Sequence, residues 1–168
     1  MKFFALKFSL FFVAILVNAN THAQEISQAQ EINQATSNEQ YFRTDKAKQA
    51  RQDWILNCQG CHKIDGSGRP EKGLPDLTGE VSKFLTVEGG REYLSRVPGI
   101  TNASVNDAQL TELINWLLLR FDPDNIPADH VPYTTEEVAQ WRKYPLSIDA
   151  AKTRENLLAK ILNKHLQK

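Results

Sequence analysis

The chain has 168 residues, with 20 basic against 20 acidic side chains, 41% hydrophobic residues and only two cysteines. Balanced charge argues against a nucleic-acid partner, whose phosphates call for a basic excess. Two cysteines cannot build a disulfide framework, and the absence of any internal repeat excludes a solenoid.

Residues 1–23 read as a cleaved export signal. Lys2 and Lys7 precede an apolar run from Phe8 to Val17 broken only by Ser9, and Thr21-His22-Ala23 supplies small residues before a cut after Ala23, with Ala19 as the other fitting position. The apolar stretch between Lys7 and Asn18 is shorter than the roughly 20 residues a spanning helix needs, so no membrane span is expected after cleavage. Cys58 is the first cysteine, which leaves nothing to suggest a lipid anchor at the start of the mature chain. Removing two lysines leaves 18 basic and 20 acidic residues, a balance of about −2, on about 145 residues. That length suits one modest domain with extensions.

The elements that follow are all helical in pattern. Residues 24–44 are rich in Gln, Glu, Ser and Asn, with Ile26 and Ile32 as scattered apolar positions, and read as a flexible leader or weak helix. A first helix is expected from Asp45, its N-cap, to Cys58, with Ala47, Ala50, Trp54 and Ile55 at helical spacing. Lys63 to Glu80 is heavily punctuated by Gly66, Gly68, Pro70, Gly73, Pro75 and Gly79, and reads as a loop. A second helix is expected from Thr86 to Val97, weakened by Gly89-Gly90. A third, capped by Asn106 or Asp107, runs to about Arg120 with a wide stripe of Leu110, Leu113, Ile114, Leu117 and Leu118, and Pro123 ends it.

Residues 122–168 form a helical C-terminal extension expected to pack on the core or meet a partner. Thr134-Thr135-Glu136-Glu137 has the form of a capping box opening a helix to about Lys143, stopped by Pro145. Asp149 to His165 then places Leu158, Ile161, Leu162 and His165 or Leu166 at helical spacing.

The chemistry lies in Cys58-Gln59-Gly60-Cys61-His62, the C-x-x-C-H run that attaches a c-type haem. Two thiols three apart can each form a thioether to one vinyl group, and the adjacent imidazole becomes the proximal iron ligand. A thioredoxin-like pair would be expected in a βαβ setting, and a structural zinc site would want a second pair of ligands; neither is present. With no further cysteine, the chain carries one haem c, attached through Cys58 and Cys61.

Around this run the chain resembles the class I cytochrome c family, over about Asp45 to Arg120. C-H-K-I-D-G-S-G, Cys61 to Gly68, is similar to the family's C-H-x-x-D-G-x-G loop, and Gly73 to Gly79 to its G-x-P-x-L-x-G. The resemblance implies an all-α, three-helix haem-binding core (residues 45–121) in which the first and third helices cross, with Trp54 near Trp116 and Leu117. It also implies that the Pro75 carbonyl accepts a hydrogen bond from the His62 ring and that Leu77 lies against the porphyrin.

The sequence departs from the family at the sixth ligand. Members supply a methionine from a loop before the last core helix, where this chain reads Arg96 to Ser104, and its only methionine is Met1. His130 could close the site as a second imidazole; alternatively the position is open or weakly held by a donor such as Asn102; His165 is the third candidate. Arg69, Lys72, Arg91 and Arg96 are candidates to pair with the haem propionates.

The resemblance implies a periplasmic one-electron carrier without catalytic residues, placed between a donor dehydrogenase and a downstream acceptor. Two other functions stay open: an open-coordinate haem module that binds O2, NO or CO or acts as a small haem enzyme, and a cytochrome subunit of a dehydrogenase complex.

Overall fold

A computed structural model describes residues 24–167 except 27, 31 and 35, so the expected export signal lies outside the described residues. The chain divides into two compact units, 1–43 and 44–168. In the first, the described residues between 24 and 42 are helical, one of the two forms expected for this polar stretch.

The second unit is all-α, and no strand occurs among the described residues. Its frame is α1 (Asp45–Asn57) packed on α5 (Asp107–Phe121). Thr44, rather than Asp45, caps α1: its side chain accepts the Ala47 N–H at 3.2 Å. Asn106 and Gln109 form a capping box that opens α5. The apolar stripe of α5 is fully internal, with Leu110, Leu113, Ile114 and Leu118 each no more than 1% exposed. Where the two helices meet, Trp54 lies 6.2 Å from Trp116 and 4.7 Å from Phe121, centroid to centroid.

The second expected helix begins later than its composition suggests. Val81–Thr86 is a 3-10 turn, Gly89 has φ 84°, and only Gly90–Arg96 forms α3. A Cβ on Gly90 would stand 1.8 Å from the Phe84 carbonyl oxygen. The two glycines therefore do not weaken a helix interior; they let its start close against the preceding turn. Two one-turn helices go beyond the sequence expectations: α2 (Gln59–His62) and α4 (Pro98–Thr101).

The described residues from 122 to 167 pack on the core within the same unit. Helix α6 (Thr135–Trp141) carries the expected Thr134–Glu137 capping box and buries Val138 completely. Tyr133, 3% exposed, donates its hydroxyl to the Arg91 carbonyl at 2.8 Å, and the Arg91 guanidinium lies 4.0 Å from that ring while pairing with Glu137. Helix α7 (Ala150–Leu166) buries Leu157 and Ile161 against the 3-10 turn and α3. Leu162 and Leu166, expected on that face, are 60% and 76% exposed. The buried stripe runs through i and i+4 from Leu157, one position earlier than the sequence suggests, because only one side of the last turns reaches the core.

Asp122 ties the end of α5 to the 3-10 turn, accepting the Ser82 N–H at 2.8 Å and the Asn125 amide at 2.6 Å. Burial raises its pKa, and these two donors work against that rise. Leu113→Ala is expected to lower unfolding free energy by about 2–5 kcal/mol, as a cavity in a fully enclosed site. Urea denaturation of parent and variant measures it, and a loss below about 1 kcal/mol would contradict Leu113 as a core position.

Candidate functional site

Helix α1 delivers the two cysteines. The Cys58 N–H closes its last turn on the Trp54 carbonyl at 2.9 Å, and α2 follows with the His62 N–H on the Cys58 carbonyl at 2.9 Å. One helical turn thus separates the first thiol from the imidazole, and a second, short helix holds Cys61 between them.

The loop after α2 is folded back by its own polar groups. Asp65 accepts the Ser67 N–H and hydroxyl at 3.1 and 2.8 Å, and Thr78 donates to the Asp65 carbonyl at 2.7 Å. Arg69 and Leu74 bond each other's backbone reciprocally at 2.8 and 3.1 Å. Gly68 (φ 58°) has the Pro75 carbonyl against its α-carbon, and a Cβ there would meet that oxygen at 2.3 Å. Only glycine permits this approach. It brings the Pro75 oxygen to 3.1 Å from His62 Nδ1. A carbonyl can only accept, so Nδ1 carries the proton and the lone pair of Nε2 is left available. Burial lowers the His62 pKa, with the Pro75 carbonyl opposing, and so favours the neutral imidazole that a metal requires.

These residues border a cavity of about 440 Å³, within the roughly 300–1,000 Å³ of small-molecule and cofactor sites. Cys58, Cys61, His62, Pro75 and Leu77 all line it. Much of the remaining wall is apolar, including Leu74, Val81, Phe84 and Leu94 with Ile114 and Leu117 of α5. Trp54 also lines it, and its buried Nε1–H has no acceptor among the described residues. An orphan donor in a largely apolar wall, two thiols and an imidazole with a free lone pair together fit a haem c: the donor set matches its attachment chemistry and the wall suits the porphyrin's apolar faces.

The other candidates fall elsewhere. His130 is outside the cavity lining, its ring 6.3 Å from Tyr133; burial lowers its pKa. Asn102 does not line the cavity either, and His165 is exposed on α7. None of Arg69, Lys72, Arg91 and Arg96 lines it. Arg91 is held by Glu137 and the carbonyls of Val131 and Pro132, and Arg96 by Glu92 and the Tyr144 carbonyl.

Sequence reasoning misses Tyr93 and Arg154 as cavity residues, together with Ala150 and Ala151. Tyr93 lies within the second expected helix, and its place in the cavity wall follows from how that helix packs. Nothing local marks Arg154, because its place follows from how α7 docks.

The thiols are unequal. Cys58 is buried and desolvation pushes its pKa up to about 11, with Cys61 and Asp53 adding to the rise, whereas Cys61 is exposed. Iodoacetamide at pH 8, applied to reduced haem-free chain and read by peptide mass spectrometry, is expected to label Cys61 first. At that pH only about one Cys58 thiol in a thousand would be ionised. Equal labelling rates would contradict the burial of Cys58.

No protein-family model matches the chain. It is similar to cytochrome c-552 of Thermus thermophilus, 29% identical over 108 residues, which cover 54% of this chain and 82% of that protein. A second cytochrome c-552, from a particular strain of the same species, matches at the same identity and length, over 72% of its own chain.

Proposed function

We propose, from the premise that this chain matches the class I-like c-type cytochromes, that it is an exported single-haem electron carrier of the periplasm. Its partners in this reading are a donor dehydrogenase and a downstream acceptor. The observation that carries it is the convergence of Cys58, Cys61 and a Pro75-oriented His62 on one apolar cavity. No helix among the described residues is long and apolar enough to cross a membrane.

Cys58 and Cys61 would hold the haem through thioethers, and His62 Nε2 would be its proximal ligand. Bound haem supplies a reversible one-electron change at iron. The chain's own residues set the conditions for it. The Pro75 carbonyl holds the proton on Nδ1, keeps the ring from turning and raises the basicity of Nε2. The largely apolar wall would limit solvent access to the group, which lowers the reorganisation that a charge change demands. Leu77, tied to Gly66 through its N–H at 2.9 Å, contributes to the cavity wall.

One observation favours a second reading: among the residues lining the cavity there is no methionine and no histidine besides His62. An iron left open or weakly held on its sixth side would bind O2, NO or CO.

Absorption spectra of chain expressed with a c-type maturation system test both. One covalent haem is expected by the alkaline pyridine spectrum, reversibly reduced by dithionite and oxidised by ferricyanide, and lost in Cys58→Ala with Cys61→Ala. Absence of covalent haem in the parent would overturn the carrier reading. A ferrous spectrum that shifts on adding carbon monoxide would support the open-coordinate reading, and one that does not shift would support the carrier.

A further inference from the structure

We propose that the C-terminal extension clamps the loop in which the family's methionine would stand, with Arg142 as the positioning residue, and thereby restricts the iron's sixth side to small ligands. The inference rests on the haem reading above.

The segment from Arg96 to Val105 contributes Val97, Pro98, Gly99 and Ile100 to the cavity wall. It is lightly built by itself: α4 is a single turn in which only Ile100 is buried, and Ala103 is the one other buried residue of the segment. With no methionine in it, no iron–sulfur bond can hold it against the cavity. The extension supplies the hold instead. From Arg142, just beyond α6, Nε donates to the Thr101 carbonyl at 3.2 Å, Nη1 to the Val105 carbonyl at 2.8 Å, and Nη2 to the Ala103 carbonyl. Nη1 also reaches Asp107 Oδ1 at 3.1 Å, at the first residue of α5. Three carbonyls within five residues, all facing one fork of donors, require the planar guanidinium; a lysine ammonium cannot span them.

The other end of the segment is tied to the same extension. Arg96 Nε donates to the Tyr144 carbonyl at 2.6 Å, and the Leu146 N–H returns a bond to the Arg96 carbonyl at 2.9 Å. A further point of attachment is the Ser104 N–H on Asn57 Oδ1, at 3.1 Å. Helix α7 then adds Ala150, Ala151 and Arg154 to the wall. The extension therefore both holds the loop and forms part of the cavity beside it.

A loop held this way has a closed arrangement and rarer open ones. A ligand too bulky for the closed cavity binds only the open fraction, so its apparent affinity rises in proportion as the clamp is weakened. A diatomic that fits the closed cavity is indifferent to the change.

The test compares haem-loaded parent with Arg142→Ala and Arg142→Lys. Hydrogen exchange of the Ile100 to Ala103 amides is expected to quicken at least about tenfold in the alanine variant, given the usual worth of several charged hydrogen bonds. Amides of α1 and α5 stay as in the parent. Ferric imidazole affinity rises by the same factor while cyanide affinity holds, and the lysine variant falls between parent and alanine. Unchanged loop exchange, unchanged imidazole affinity, or an equal rise for imidazole and cyanide overturns the proposal. If Arg142→Ala does not load haem, Arg142→Lys decides by the same readouts. A parent without covalent haem overturns the carrier reading instead, and loop exchange in the haem-free chains then decides the clamp.

Discussion

The contact of the Pro75 carbonyl with the His62 ring is the constraint around which the site is arranged. It assigns the proton to Nδ1 and leaves Nε2 free, and it stops the imidazole from rotating in a cavity whose walls offer it few other polar partners. The approach exists because Gly68 has no side chain: any Cβ there would meet the same oxygen. The Asp65–Ser67 turn, the Thr78 bond to Asp65 and the Arg69–Leu74 bridge all serve to carry Pro75 back over the short helix that bears His62. A long loop whose regular structure amounts to one 3-10 turn, Pro70–Lys72, is thereby given a defined path.

The second organising feature is the extension. The arginine contacts that join it to the core differ in setting from exposed surface ion pairs, which contribute little. Arg91 and Arg142 each bond backbone carbonyls as well as a carboxylate, and their side chains are only 29% and 20% exposed. Each thus bonds carbonyls in loop segments or at the end of a short helix, where few intrahelical donors are available. Tyr133 and Val138 supply the apolar burial that brings these guanidinium groups into position. Fold and site are joined at this point, since the segment held by Arg142 is also a wall of the cavity.

Much of this is legible in the chain. The α1, α5 and α6 positions follow from periodicity, the last two with their caps, and the approach of Trp54 to Trp116 follows from the family resemblance. The start of α3 does not, because Gly89 and Gly90 look in sequence like helix-weakening residues, whereas in the fold they permit a tight backbone approach to Phe84. Charge type alone suggests four propionate partners, and two of them, Arg91 and Arg96, are committed to the extension.

What the sequence by itself determined is the chemistry: two thiols and an imidazole at fixed spacing, a glycine–proline loop able to return to them, and the lack of a methionine outside Met1. These are properties of residue type and short-range spacing, which need no knowledge of distant contacts. Tertiary structure alone decided which residues complete the cavity. Arg154 comes to its wall, and Arg142 to the loop carbonyls, the latter from 37 to 41 residues away in sequence. Such pairings depend on how α6 and α7 dock, and docking is set by the summed burial of many side chains, which no local pattern encodes.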